Sequence, residues 1–237
     1  PGWEEFARFH RDTFVRWQKK IHDAVQEGSP GTLVTFNHSY WLSQPETPPE
    51  FVRNLSADIH HDTQGIEVYG RYGSGIRMPF DIMPGLSAKS WAGKDPKTID
   101  QVLTEVAVIT ANGGRWNIGE FPTGREHPVA KFLELARHGA QFARERQRWT
   151  HHTQSVPLVA VLQSASTHYA RVLPENLPGE TVQGDYIWSS TGELDFVRAD
   201  KNPGPTRIYF HDNRAAPDEI TGTAEALAEN HLHFDII

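Results

Sequence analysis

The chain has 237 residues, 38% apolar and 22% charged, which suits one large globular domain or one domain with part of another. It contains no cysteine, which excludes disulfides, thiolate zinc sites and a cysteine nucleophile. A formal net charge of −7 with no clustered Lys/Arg face leaves no electrostatic footprint for nucleic acid. No apolar run approaches the roughly 18 residues needed to span a bilayer. No secretory signal is visible, and the compartment stays open, with the cytoplasm slightly favoured.

Trp3 to Gln26 reads as an amphipathic helix, with Phe6, Phe9, Phe14, Trp17, Ile21 and Val25 at three- to five-residue steps. Gly28-Ser-Pro-Gly31 stops it. Thr32 to Phe36 is a short β-branched strand that ends at Asn37-His38, and a Pro-rich loop follows from Gln44 to Glu50. Leu55 to His60 reads as a second strand, closing in the polar cluster His60-His61-Asp62. Ile66 to Tyr72 is a short helix or irregular segment. Arg77 to Met83 is a third strand, weakened by Pro79.

Pro96 to Ala111 is a clear helix, with Ile99, Val102, Leu103 and Val106 on one face and Asn112-Gly-Gly as its stop. Arg115 to Gly119 is a fourth strand, delivering Asn117 and Glu120 to a Pro/Gly loop. Pro128 to Trp149 is a further helix, with Phe132 and Leu133 among its inward residues. Strand, connection and helix alternate, which argues for parallel α/β. Thr150 to Ser155 is a polar linker. Leu158 to Leu162 is an apolar run of the kind buried on both faces of a parallel sheet. Tyr186 to Trp188 and Arg207 to Phe210 are further strand candidates, Thr221 to Asn230 a short helix, and Phe234 to Ile237 another buried strand.

The ordered series Val34-Thr-Phe-Asn-His38, Asp62-Thr-Gln64, Met78 to Gly85 with Trp91, Ala111 to Gly119, and Val159 to Leu162 with Ser164 resembles α-L-fucosidase-type glycoside hydrolases. The likeness is to family 151 enzymes with a family 29-like barrel and a β-galactosidase trimerisation-like domain. It implies the C-terminal half of a (β/α)8 TIM barrel over residues 1–150, strands five to eight, then an incomplete flavodoxin-like domain over 151–237. The chain is then expected to begin partway through the barrel. In a barrel of this kind, chemistry sits at the carboxyl ends of the strands.

That placement nominates Asp62 and Glu120 as catalytic carboxyl groups, and Asn37, His38, Trp41, Trp91 and Asn117 as substrate contacts. Each has a plainer alternative. Asp62 could cap a loop or pair with His60 or His61, Glu120 could pair with Arg115 or Arg125, Asn37 and His38 could satisfy loop backbone, and both Trp residues could be packing. Asp81 could face the pocket, where a buried carboxylate must be paired.

The resemblance implies a retaining hydrolase for α-L-fucosides or related glycosides, with its nucleophile on the fourth strand, outside this chain. Retention needs two carboxyl groups roughly 5–5.5 Å apart, so the isolated chain is expected to be inactive. The partners expected are a carbohydrate substrate and further copies of the chain, a trimer being one form, with no nucleic acid and no membrane. No cofactor or metal motif is present, and adjacent His60 and His61 point to opposite faces of a strand. The alternative is a non-catalytic carbohydrate-binding or assembly module derived from such an enzyme.

Overall fold

The computed structural model describes residues 3–42, 44–59, 63–88, 95–119, 128–166, 184–188, 194–198 and 219–237. Helix α1 (Trp3–Gly28) runs 26 residues. Its inward face is anchored by a polar contact. Buried Gln18 donates to Ser39 Oγ at 3.0 Å and accepts from the Tyr40 hydroxyl. Phe9 and Trp17, expected on that inward face, are 61% and 54% exposed. The apolar steps of this helix drift round its axis, so one stripe cannot bury them all.

Strands β1 (Leu55–Asp58), β2 (Phe80–Met83) and β3 (Arg115–Trp116) form a parallel sheet in the order β1-β2-β3. Ser56 pairs with Asp81, and Asp81 with Arg115. Residues 32–36 form no strand. A single parallel bridge from Asn37 to Ser56, with His38 N donating to Ser56 O at 2.9 Å, lays this segment beside β1. Sequence order and spatial order therefore agree across four neighbouring positions.

Helices α2 (Thr63–Ile76), α3 (Ile99–Ala111) and α4 (Val129–Thr150) are the connections. A capping box starts α3: Gln101 N donates to Thr98 Oγ1, and Thr98 N donates to Gln101 Oε1. Asn112 and Gly113 (φ 79°) end it, the left-handed stop its glycine suits. On α4, Phe132 and Leu135 are buried, whereas Leu133, expected inward, is exposed.

After α4, β4 (Val159–Val161) pairs in parallel with a final strand, which follows helix α5 (Glu219–Glu229). Between them, β5 (Gly184–Trp188) and β6 (Leu194–Arg198) pair antiparallel. The final strand is β7 (Phe234–Ile236). The second strand of the β5–β6 pair was not expected, and the expected strand Arg207 to Phe210 lies outside the described residues.

One apolar cluster joins the two sheets. Leu55, Ala57, Phe80 and Ile82 pack with Ile66, Val68 and Tyr72 of α2 and with Phe234 and Ile236 of β7. The contact is close, since a Cβ on Gly75 would overlap the Ile236 carbonyl. Residues Leu158 to Leu162 are not buried on both faces as expected. Val161 is buried, but Leu158 and Leu162 are 78% and 72% exposed. Among the described residues β4 has only β7 beside it, so it is an edge strand. Among the described residues, no helix is long and apolar enough to cross a membrane.

Candidate functional site

Side chains alternate across a strand. In β1 and β2 the residues Leu55, Ala57, Phe80 and Ile82 go to the helices, so Ser56, Asp58 and Asp81 share the other face. Asn37, beside Ser56, and Asn117, just past β3, join them.

Two carboxylates organise this face. Asp81 accepts from Asn54 Nδ2 at 2.9 Å, from Ser56 Oγ at 2.7 Å and from Asn117 Nδ2 at 3.3 Å. Asp58 Oδ2 accepts from Asn37 Nδ2 at 2.7 Å, while its buried Oδ1 has no hydrogen-bond partner. Asp58 lies one strand over and two residues further along than Asp81, a Cα separation of roughly 8 Å for a parallel sheet. Asn37 and Asn117 thus each use one amide donor on a carboxylate. Asn117 Oδ1 accepts from Ile118 N at 2.8 Å, while both amides sit on exposed residues at the rim.

His38 adopts a left-handed backbone (φ 57°), and its Nε2 accepts from Asp58 N at 3.1 Å. The ring proton therefore sits on Nδ1, because a nitrogen that accepts is unprotonated. Trp41, a candidate for sugar stacking, is instead a core residue. It is fully buried against Tyr69, Tyr72 and Phe80, and its indole donates to Ser56 O at 2.9 Å. It has no face to offer a ring. Asp62, Glu120 and Trp91 lie outside the described residues.

Asp58, Ser56 and Asn54 were not singled out from sequence. The signal for the first two was the alternation Leu55-Ser56-Ala57-Asp58, which places two polar residues on one face. Next to the site, Tyr40 is pushed up to about 12 by burial, with the Glu46 charge adding to it, so its hydroxyl stays a donor to Gln18.

Two other polar groupings have structural roles. Lys97 Nζ lies 2.6 Å from Glu105 Oε1, both nearly fully buried, which ties the segment before α3 to that helix. Arg71 Nη1 lies 2.7 Å from His233 Nδ1, His233 Nε2 2.9 Å from Ser155 Oγ, and Ser155 Oγ donates to Asp235 Oδ1 at 2.7 Å. A guanidinium can only donate, so Nδ1 accepts and Nε2 carries the proton. Nε2 therefore cannot act as base towards Ser155, and the chain is a staple between α2 and β7, not a nucleophile pair. Among the described residues no three His, Asp or Glu side chains gather as a metal site.

A cleft of about 710 Å³ lies away from this polar face. It opens at the amino ends of β2 and β3, beside the ends of α2, α3 and α4.

No protein-family model matches the chain, and no curated protein matches its sequence. Among solved structures it is similar to alpha-L-fucosidase isoenzyme 2 from Paenibacillus thiaminolyticus, at 17% identity and a TM-score of 0.67. The match covers 100% of this chain and 31% of that chain, so this chain spans less than a third of the protein it resembles. At that identity the likeness shows the fold alone: small parallel sheets with helices, as in an α/β glycosidase.

Proposed function

We propose that this chain is part of a retaining glycoside hydrolase acting on α-L-fucosides or related glycosides, and supplies strands five to eight of its (β/α)8 barrel. The observation that carries the reading is the polar face in which Asn37, Asp58 and Asn117 stand at the carboxyl ends of neighbouring parallel strands, with Asp81 behind them in the first half of β2. Barrel enzymes place their chemistry at that end. The fold likeness to a fucosidase supports the same assignment.

In this reading Asp58 and Asp81 orient the amides of Asn37 and Asn117, which hold sugar hydroxyls. Asp62 and Glu120, which follow β1 and β3 in the sequence, are the carboxyl groups for acid/base work. The nucleophile comes from a fourth strand outside this chain, so the chain alone binds sugar without turning it over. Residues 1–150 belong to the barrel and 151–237 to a trimerisation-like domain, and the whole enzyme is a homo-oligomer.

Calorimetric titration with L-fucose and D-galactose tests the site. Fucose is expected to bind at concentrations on the order of 10 mM or below, above the usual range of enzyme KM values. Asn37→Ala and Asn117→Ala are each expected to weaken it about tenfold, the loss of one or two hydrogen bonds. Heat from neither sugar, or unchanged affinity in both variants, sinks the assignment.

A further inference from the structure

The cleft at the amino ends of β2 and β3 lies outside the proposed sugar site. Its walls carry Arg77, Arg115 and Arg144, with His151 and His152 at the end of α4. Asp235 is the one carboxylate among the lining residues, and it already accepts from Ser155. Among the described residues none of the three guanidinium groups has a carboxylate within salt-bridge distance or a side-chain hydrogen bond. A chain of net charge −7 thus sets Arg77 and Arg144 beside one concavity, while Arg115, in register with Asp81, lines it from a strand position whose side chain belongs to the Asp81 face.

Three helices end beside this cleft, and each helix end carries roughly half a negative charge, which favours nearby cations. That field also opposes an anion here, so the guanidinium charges must outweigh it. Four of the carbonyls closing these helices accept from backbone donors: Gly113 N to Thr110 O, Gly114 N to Ile109 O, Arg77 N to Ser74 O and His151 N to Gln147 O. The guanidinium groups do not bond to them. Arg77 also holds a left-handed backbone (φ 61°), where glycine is the easier residue. Trp116, on the same wall, has a buried indole Nε1 with no acceptor. Donors are in surplus here, so the matching ligand is one that only accepts.

We propose that this cleft binds an oxyanion, a phosphate or sulfate group, free or carried on a small ester. Guanidinium forks match the geometry of such groups, pairing two N–H donors with two oxygens. A volume of about 710 Å³ lies within the range of small-molecule sites.

The test is calorimetric titration of the full chain with inorganic phosphate and with sulfate, against chloride at matched ionic strength. Arg144→Gln is expected to weaken phosphate about tenfold, the loss of a charge-assisted pair, and Arg77→Gly with Arg144→Gln to abolish binding. Arg77→Gly alone is expected to unfold, without ligand, at the parent's temperature or above, because glycine relieves the left-handed backbone. The same unfolding temperature in the double variant separates loss of binding from loss of fold. Glucose 6-phosphate, run beside glucose, separates the two sources: tighter binding than inorganic phosphate assigns the cleft to an ester, equal binding to the free anion. Asn37→Ala is expected to leave phosphate binding unchanged, so this proposal and the sugar site fail independently. No heat from either anion, equal binding in the double variant, or the same response to chloride overturns it.

Discussion

The Asp81 side chain accepts more side-chain hydrogen bonds than any other at the candidate site. Its carboxylate joins Asn54 and Ser56, at the start of β1, to Asn117 beyond β3. Hydrogen bonds to a charged acceptor contribute more than neutral ones, and a buried donor left without its acceptor costs its desolvation. Asp81→Ala leaves buried Ser56 without its acceptor and removes one acceptor each from Asn54 and the exposed Asn117, and is expected to lower unfolding free energy by about 1–3 kcal/mol. Urea denaturation measures it, and a loss within experimental error would mean that water replaces the carboxylate. Glu105 gives a pH dependence. Burial raises its pKa above the ordinary carboxylate value of 4.5, and Lys97 opposes this without reversing it. The folded state then holds a proton that the unfolded state has released, so stability falls as pH rises through the interval above 4.5. Glu105→Gln is expected to flatten that fall in denaturation series across the acid range. At this scale the sequence was partly legible. Asn37 stands where an apolar stretch stops, and Asn117 on the short strand that leads into a Pro/Gly loop, so position alone nominated them. Asp58 escaped because the polar run from His60 to Asp62 drew the strand end later. Trp41 could be read two ways from sequence, since an aromatic residue after a strand can stack on a ligand or fill the core. Only the neighbours Tyr69, Tyr72 and Phe80, which are distant in sequence, decide that it fills the core.

The helices carry their own signals. α3 has a capping box, a periodic face and a glycine stop, so its sequence reading from Pro96 to Ala111 differs from the structure only at the first turn. Strands of two to four residues carry little periodicity, and what fixes their limits is the neighbour. The contact of α2 with β7 has no local signature at all. Gly75 provides the space for it, facing the Ile236 carbonyl with no side chain between. Gly75→Ala forces the helix off the strand and is expected to cost about 1–3 kcal/mol, the usual range for overpacking. The staple from Arg71 through His233 to Ser155 and Asp235 crosses the same contact. If the two act on one interface, Ser155→Ala with Gly75→Ala will be non-additive in thermal or urea unfolding. Strict additivity would mean that they act on separate contacts.

Among the described residues, the arrangement of strands leaves an apolar row uncovered. Val156, 82% exposed, precedes β4; Leu158, Ala160 and Leu162 then alternate through the strand and the residues flanking it, with Leu158 and Leu162 at 78% and 72% exposure. Alternation places them on one side of the strand, and β4 has a neighbour on one edge only among the described residues. In sequence this run looks like the interior of a parallel sheet, because continuous apolar strands are normally covered on both faces. Residue type reports what a strand would bury, while the surrounding chain determines what it does bury. An exposed apolar edge strand is a template for further pairing. We therefore expect the chain to self-associate with rising concentration, through this row. Leu158→Lys with Leu162→Lys places charge on the exposed side and is expected to return the chain to a monomer in sedimentation velocity. Because both side chains are mostly solvated, the pair should change unfolding free energy by no more than about 0.5 kcal/mol per site. Association that persists in the double variant would move the contact elsewhere, with exposed Phe9 and Trp17 of α1 the next surface to test. A large loss of stability would instead show that β4 is covered in solution by chain outside the described residues, and that its apolar run serves the interior it resembles.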